Sequence, residues 1–177
     1  MEKFEEEPYV NKEKFILVCN SNATAEEYGW THEYVKELIA AAEACDDLYY
    51  LDESALNNLG IIYSDGVDVP VDMELAIKYF TLAVELDCDL ARSNLADIYR
   101  KGDNGVPVDL EKAFELYSEC HIPYAYYRVG EAYQYGRGVE MDLEKAKYNY
   151  RIAYKHGHPL ARKKLATFNF FTNKKEG

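Results

Sequence analysis

Small and apolar residues recur along this chain with two periods, a short one inside each copy and a long one between copies. In the first copy they are Ala55, Leu59, Gly60 and Tyr63, and the copy ends at Gly66. The offsets of 0, 4, 5 and 8 residues place them on one face of an α-helix. Copies start at Ala55, Ala91, Ala125 and Ala161, and the separations of 36, 34 and 36 residues predict stacked helical hairpins.

The later copies keep this order with small departures. They read Ala91, Leu95, Ala96, Tyr99 and Gly102, then Ala125, Val129, Gly130, Tyr133 and Gly136, and the fourth opens with Ala161, Leu165 and Ala166. The fourth copy has Asn169 where the others have tyrosine. The small residue at offset 5 predicts that another helix approaches closely there, because a larger side chain would overpack the contact by roughly 1–3 kcal/mol.

A turn and a second helix follow each first helix. The glycine that ends the first helix supplies positive φ, and a later aspartate is expected to cap the second helix. These aspartates are Asp72, Asp109 and Asp142. The second copy gains a residue in its turn, and Pro123 shortens its return, so this repeat is expected to be irregular.

Together these residues resemble the Sel1-like repeat family, which is related to the tetratricopeptide repeats. The resemblance covers residues 54 to about 170. It implies an all-α fold, an α/α solenoid of stacked antiparallel helical hairpins that serves as an adaptor or scaffold for protein partners. We expect repeats at 54–90, 91–124 and 125–160, a partial copy at 161–171 that forms a C-terminal helix, and a loose tail at 172–177.

Residues 1–53 do not match the repeat and are expected to form an acidic helical cap over the apolar end of the array. Thr31 is a candidate N-cap for a helix that runs to Cys45 and carries Val35 and Leu38 on its apolar face. The apolar run at residues 15–19 suits a helix or a short strand, and an all-helical array favours the helix.

The net charge of −12 is unevenly distributed along the chain. Residues 1–53 carry −10, residues 54–124 carry −8 and residues 125–177 carry +6. Such a polarity can steer a partner, and a basic protein is the expected kind. An ordinary solvated acidic surface would account for the same distribution, since salt screens exposed charges beyond about 8 Å.

The sequence lacks the patterns of phosphate-binding loops, His-Glu-x-x-His metal sites and EF-hands. His156, His158, Cys88 and Cys120 are candidate metal ligands, but the family resemblance already accounts for His158 as part of the repeat's return. Cys120 and His121 are adjacent, and adjacent helical side chains do not face each other, so they do not suggest a nucleophile with its base. We therefore expect no cofactor, no metal and no enzymatic activity.

The cysteines and the chain's start indicate a compartment. Cys19, Cys45, Cys88 and Cys120 have no Cys-x-x-Cys spacing, and reduced thiols are favoured over a disulfide. Neither an apolar leader nor an 18-residue apolar run is present. We expect a cytoplasmic protein whose partner is neither a membrane nor a nucleic acid.

Partner binding is expected on the concave side, which the resemblance to tetratricopeptide arrays implies is lined by the first helices. The outward positions of these helices are then candidate contacts. They are Asn57, Ile61, Ser64, Asp65, Ser93, Asp97, Arg100, Lys101, Tyr127, Glu131, Gln134, Tyr135, Lys163 and Thr167. Tyr127 and Tyr135 could equally pack on the neighbouring repeat.

The leading functional hypothesis is a non-catalytic module that binds a protein or peptide in this groove. An alternative is an acidic immunity protein or inhibitor that neutralises a basic toxin domain, for example a nuclease. A hydrolase hidden in the repeats is a third and weaker hypothesis.

Overall fold

The computed structural model describes residues 25–45, 47–102 and 104–172, and all regular structure within these residues is helical. Two 3-10 helices, Ala25–Tyr28 and Leu48–Tyr50, accompany the α-helices. The α-helices are α1 (His32–Ala44), α2 (Glu53–Asp65), α3 (Met73–Glu85), α4 (Asp89–Lys101), α5 (Leu110–Ser118), α6 (Pro123–Tyr135), α7 (Leu143–Lys155) and α8 (Ala161–Thr172). The predicted all-α fold is confirmed. Residues 15–19 lie outside the described residues.

The helices pack in chain order as an array of pairs. Helix α2 packs on α3, α4 on α5 and α6 on α7, and each second helix also contacts the first helix of the next pair. We call α2, α4, α6 and α8 the first helices, and α3, α5 and α7 the second helices. The arrangement is the predicted α/α solenoid, with α1 against α2 at one end and α8 against α7 at the other.

All three turns between first and second helices are built in the same way. The aspartate amides donate to tyrosine carbonyls at 2.8–2.9 Å, and the pairs are Asp72 with Tyr63, Asp109 with Tyr99 and Asp142 with Tyr133. Each aspartate carboxylate also accepts from the amide three residues later at 2.9–3.0 Å. The predicted N-caps are therefore confirmed.

Left-handed glycines end α2, α4 and α6 as predicted. Gly66, Gly102 and Gly136 have φ between 64° and 69°. The third turn has a further left-handed residue at Gly138, where a Cβ would lie 1.9 Å from the carbonyl oxygen of Leu110, so only glycine fits. In the first turn Asp68 occupies the equivalent position with φ 60°, a conformation that aspartate tolerates better than most residues.

Close approaches of two helices occur at two of the predicted small residues. A Cβ on Gly60 would lie 2.5 Å from the ring of Phe80, and one on Gly130 would lie 2.8 Å from the ring of Tyr150. Ala96 is fully buried at the matching position of the second repeat. The same prediction is wrong for Ala166, which is exposed, because no second helix follows α8 within the described residues.

The second repeat is irregular, as its sequence indicates. Helix α5 has nine residues, whereas α3 and α7 have 13 each. The amides of Cys88 and His158 reach back five residues to close the ends of α3 and α7, whereas the amide of Cys120 bonds to Tyr117 only three residues earlier. The helix that should pack between α4 and α6 is thus about one turn shorter than its counterparts.

The N-terminal segment caps the array with a single described α-helix. The hydroxyl of Thr31 accepts from the amide of Tyr34 at 3.1 Å, which confirms the predicted cap, and α1 ends one residue before Cys45. Val35 and Leu38 face the core. Thr172, expected in the loose tail, is instead the last residue of α8, and 173–177 lie outside the described residues.

Replacing Gly60 by alanine is expected to lower the free energy of unfolding. The added methyl group overpacks the contact with Phe80 by roughly 1–3 kcal/mol, and the higher helix propensity of alanine returns only about 1 kcal/mol. Urea denaturation followed by circular dichroism measures the difference. In a Phe80→Leu background the same change should cost less, by at least about 0.5 kcal/mol. Strictly additive effects of the two substitutions would contradict a tight Gly60–Phe80 contact.

Candidate functional site

Side-chain hydrogen bonds join consecutive first helices along one face of the array, which we call the first-helix face. Asn94 of α4 donates to Asn57 of α2 at 3.1 Å. Tyr124 of α6 donates to Asp97 of α4 at 2.7 Å, and Lys164 of α8 donates to Glu131 of α6 at 3.0 Å. The repeats are therefore tied together by polar contacts as well as by their apolar core.

A donor recurs two residues before the small residue of every copy. These donors are Asn58, Asn94, Arg128 and Lys164. Asn58 donates to the hydroxyl of Tyr34 in α1, so the row of polar contacts begins at the N-terminal cap. The sequence analysis missed these residues, although a polar side chain at one offset in four copies was a readable signal.

Asp97 is a buried carboxylate of this face that accepts hydrogen bonds from three residues. Its side chain is 3% exposed and accepts from Arg100 at 2.7 Å and from the hydroxyls of Tyr117 and Tyr124 at 2.6 and 2.7 Å. Burial by itself raises the pKa of Asp97, but the charge of Arg100 and the two hydroxyl donors outweigh burial, and the pKa falls below its usual value. The group is thus a buried carboxylate whose charge is satisfied by α4, α5 and α6 together.

A second charged cluster lies between α6 and α8. Both oxygens of Glu131 are used, since Oε2 accepts from Arg128 at 2.7 Å and Oε1 accepts from Lys164 at 3.0 Å. The hydroxyl of Tyr127 also donates to Oε1 at 3.2 Å. Burial opposes ionisation of Glu131, but Lys164 and Arg128 hold its pKa below the usual range.

Tyr127 belongs to an aromatic stack beneath this cluster. Its ring lies 4.3 Å from the ring of His158 and 5.5 Å from that of Tyr150. His158 is 6% exposed, and burial together with the charge of Arg128 lowers its pKa to about 4. The imidazole is therefore neutral at physiological pH and serves as a packing group.

Five of the ten leading contact candidates do not face outward. Asn57, Ile61, Asp65, Asp97 and Tyr127 are only 1–6% exposed, and Ser64 and Ser93 are buried as well. The predicted outward orientation is wrong for them, because neighbouring first helices and the N-terminal cap pack over these positions. Asp65, for example, accepts from the hydroxyls of Tyr28 and Ser64, and burial raises its pKa.

The other five candidates reach the surface to different degrees. Arg100, Lys101, Glu131 and Gln134 are half-buried, and Tyr135 is 50% exposed. Gln134 accepts from the hydroxyl of Tyr150 at 2.6 Å, so its carbonyl is already engaged. Lys163 is exposed, and the side chain of Thr167 lies outside the described part of the structure. That these residues contact a partner stays a prediction.

The described cysteines are thiols, and the buried one among them is weakly reactive. Cys45, Cys88 and Cys120 are free thiols, and burial raises the pKa of Cys120 to about 12, so its thiol is a weak nucleophile. Over 25–45, 47–102 and 104–172 no three His, Cys, Asp or Glu side chains are grouped to hold a metal ion. Within the same ranges no helix has the length and apolar character needed to cross a bilayer.

Replacing Asp97 by asparagine should destabilise the array by roughly 2–4 kcal/mol. The change removes a buried charge that pairs with Arg100, and it leaves one amide oxygen where two carboxylate oxygens accept from the two tyrosine hydroxyls. The control is Asp87→Asn just before the same helix, where the side chain lies 3.6 Å from Arg92 and is 98% exposed. Such a pair should contribute below about 1 kcal/mol. Equal losses in urea denaturation would show that the buried network adds nothing special.

His158 should make stability depend on pH. An unfolded histidine titrates near about 6.5, whereas His158 in the folded chain has a pKa of about 4. Between these values the unfolded chain binds a proton that the folded chain does not, so the unfolding free energy decreases as the pH falls, by up to about 1.4 kcal/mol per pH unit. His158→Phe should remove this slope, and His156→Phe, at an exposed position, should keep it. Identical pH profiles for the two variants would contradict the assignment.

Known proteins share this fold and sequence pattern. The chain is similar to a Sel1 repeat protein from Oxalobacter formigenes, with 28% identity and a TM-score of 0.62 over 76% of this chain and 98% of that one. It is also similar to a protective antigen of uropathogenic Escherichia coli with the Sel1-like fold, with 29% identity and a TM-score of 0.72 over 83% of this chain and 31% of that one.

A curated relative is the putative ERAD-associated E3 ubiquitin-protein ligase component of Schizosaccharomyces pombe, 30% identical over 100 residues. The match covers 54% of this chain but 14% of that protein, so the chain spans about one seventh of its length.

The family model of the Sel1 repeat matches residues 53–88, 90–119 and 123–158, which together exceed half of the chain. Sel1 repeats generally mediate protein–protein interactions and are generally non-catalytic. With the helical pairs, the capped turns and the close glycine contacts, these matches show that the chain belongs to the Sel1 repeat family.

Proposed function

We propose that this chain is a non-catalytic adaptor or scaffold that binds a partner protein or peptide along its first-helix face. The observation that carries the proposal is the contrast between the interior and the edge of that face. The interior side chains are locked by hydrogen bonds between repeats, whereas Tyr135 at the end of α6 is 50% exposed and lies beside the exposed Arg137. A rigid surface with an accessible tyrosine and arginine suits protein recognition, because these residue types dominate binding energy at interfaces.

The predicted contact residues then divide into two roles. Arg100, Lys101, Glu131, Gln134 and Tyr135 are at least partly accessible and are the proposed contacts. The buried residues Asn57, Ile61, Asp65, Asp97 and Tyr127 hold the first helices in place and would act on binding only through that geometry.

An acidic inhibitor of a basic protein is the second candidate, and the N-terminal cap supports it. The exposed carboxylates of that region are Glu26, Glu27, Glu33, Glu37 and Glu43. Asp65 and Asp97 are buried and add nothing to this acidic patch, and further exposed carboxylates lie on α3 and α5, for example Glu74 and Glu115. Binding through this patch should weaken strongly in salt.

The test is capture of partners from host lysate on the tagged full chain, followed by mass spectrometry and titration of each purified candidate. For the adaptor role, Tyr135→Ala should weaken binding at least about tenfold, because loss of a hot-spot side chain costs about 2 kcal/mol or more. Tyr154→Ala is the matched control, since Tyr154 of α7 is also 50% exposed but lies away from the first-helix face.

Salt separates the two candidate functions. A partner that stays bound in roughly 0.5 M salt and is lost with Tyr135→Ala supports the adaptor role. A basic partner supports the inhibitor role instead if salt releases it and if the Tyr135→Ala variant binds it with unchanged affinity. Equal weakening by Tyr135→Ala and Tyr154→Ala would overturn the proposed face.

A further inference from the structure

A pocket opens on the first-helix face where the second repeat meets the third. Its lining includes three arginines, Arg100 of α4, Arg128 of α6 and Arg137 of the turn after α6, together with Glu131. Leu110 and Phe114 of α5 contribute apolar surface. Helix α5 and the Gly138 turn packed against its start bring these elements together.

The guanidinium groups keep unused donors. Arg100 bonds to Asp97 and Tyr117 through Nε and Nη2, and Arg128 bonds to Tyr124 and Glu131 through Nε and Nη1. Nη1 of Arg100 and Nη2 of Arg128 make no hydrogen bond in the described part of the chain, and neither atom is enclosed by protein. Both therefore remain open to a ligand.

Arg137 is the most available of the three. It is exposed and makes no ion pair within the described residues, and its guanidinium lies 4.9 Å from the ring centre of Tyr135. Its own aromatic neighbour thus holds it at the mouth of the pocket without consuming its hydrogen-bond donors.

The carboxylates near these arginines already accept hydrogen bonds from other protein groups. Asp97 accepts from Arg100 and two tyrosines, and Glu131 accepts from Arg128, Lys164 and Tyr127. These two carboxylates offset two of the three arginine charges, and Lys164 is itself paired with Glu131. The pocket is therefore electropositive in a chain whose net charge is −12.

The size and the lining of the pocket limit the kinds of ligand that it can bind. The cavity volume is about 30 Å³, room for about two water-sized groups, so the pocket admits the tip of a side chain rather than a whole small molecule. A planar guanidinium fork matches a carboxylate, and the apolar wall suits the methylene stem of a glutamate or a neighbouring apolar side chain. We infer that this pocket binds a glutamate side chain from an acidic, partly apolar segment of the partner, an inference that rests on the proposed adaptor function.

The test is a titration of the ¹⁵N-labelled full chain, observed at its arginine Nε–Hε signals. The probe is the capped peptide Ac-Leu-Glu-Glu-Leu-NH2, which has no terminal charges, and the control is Ac-Leu-Gln-Gln-Leu-NH2. The acidic peptide should shift the signals of Arg100, Arg128 and Arg137 saturably, and the neutral peptide should bind at least about tenfold more weakly, because hydrogen bonds to charged groups are the stronger kind.

Arg137→Gln should weaken binding of the acidic peptide at least about fivefold without loss of fold, because the Arg137 side chain lines the pocket and, within the described residues, makes no ion pair and lies against the ring of Tyr135. Arg151→Gln, at an exposed position of α7, is the matched control and should bind like the unaltered chain. Equal binding of the two peptides, equal effects of the two variants, or tighter binding of a phosphoserine peptide would each overturn the inference.

Failure of the pocket inference can be distinguished from failure of the proposed adaptor function. A purified partner whose affinity falls with Tyr135→Ala but not with Arg137→Gln would leave the adaptor role standing and show the pocket inference to be wrong. A partner whose affinity changes with neither substitution would contradict the proposal that the first-helix face is the binding surface.

Discussion

The structure depends on the interfaces between repeats, because no helical pair of this chain encloses its own core. The largest apolar cluster runs from Val35 of α1 through Leu59 and Phe80 to Leu95 of α4, so it crosses two boundaries between pairs. Each pair therefore gains its stability from its neighbours, as expected for a solenoid. The tight Gly60–Phe80 and Gly130–Tyr150 contacts set the spacing within pairs and leave the spacing between pairs to other groups.

At the junction between the second and third repeats those other groups are polar. Helix α5 is short, and the apolar cluster there contains few large side chains. Asp97 binds α5 through Tyr117 and α6 through Tyr124, so one carboxylate replaces part of the missing apolar contact. The arginine-lined pocket lies beside the same helix. A weak point of the core and a distinctive surface feature therefore share one junction.

The local structure could be predicted from the sequence, whereas the burial and the contacts of side chains on the first-helix face could not. Turns, caps and helix limits depend on residues a few positions apart, such as Asp109 and the amide of Lys112. Asp97 looks like one more exposed acid in the sequence. Its burial depends on tyrosines 20 and 27 residues further along the chain and on how closely first helices pack. Arg137 is likewise distant in sequence from Arg100, and only the fold brings it to the pocket that Arg100 and Arg128 also line.

The position of the single tryptophan has a practical consequence for optical spectroscopy. Trp30 lies between Tyr28 and Tyr34 at the N-terminal end of the array, stacked on the first ring at 5.0 Å and tilted against the second at 5.8 Å. Its emission therefore reports on that end alone, whereas the 17 tyrosines and the helical dichroism report on the whole chain. In a linear array, where separate parts can lose structure at different denaturant concentrations, the native chain carries a built-in positional reporter of the order in which its repeats come apart.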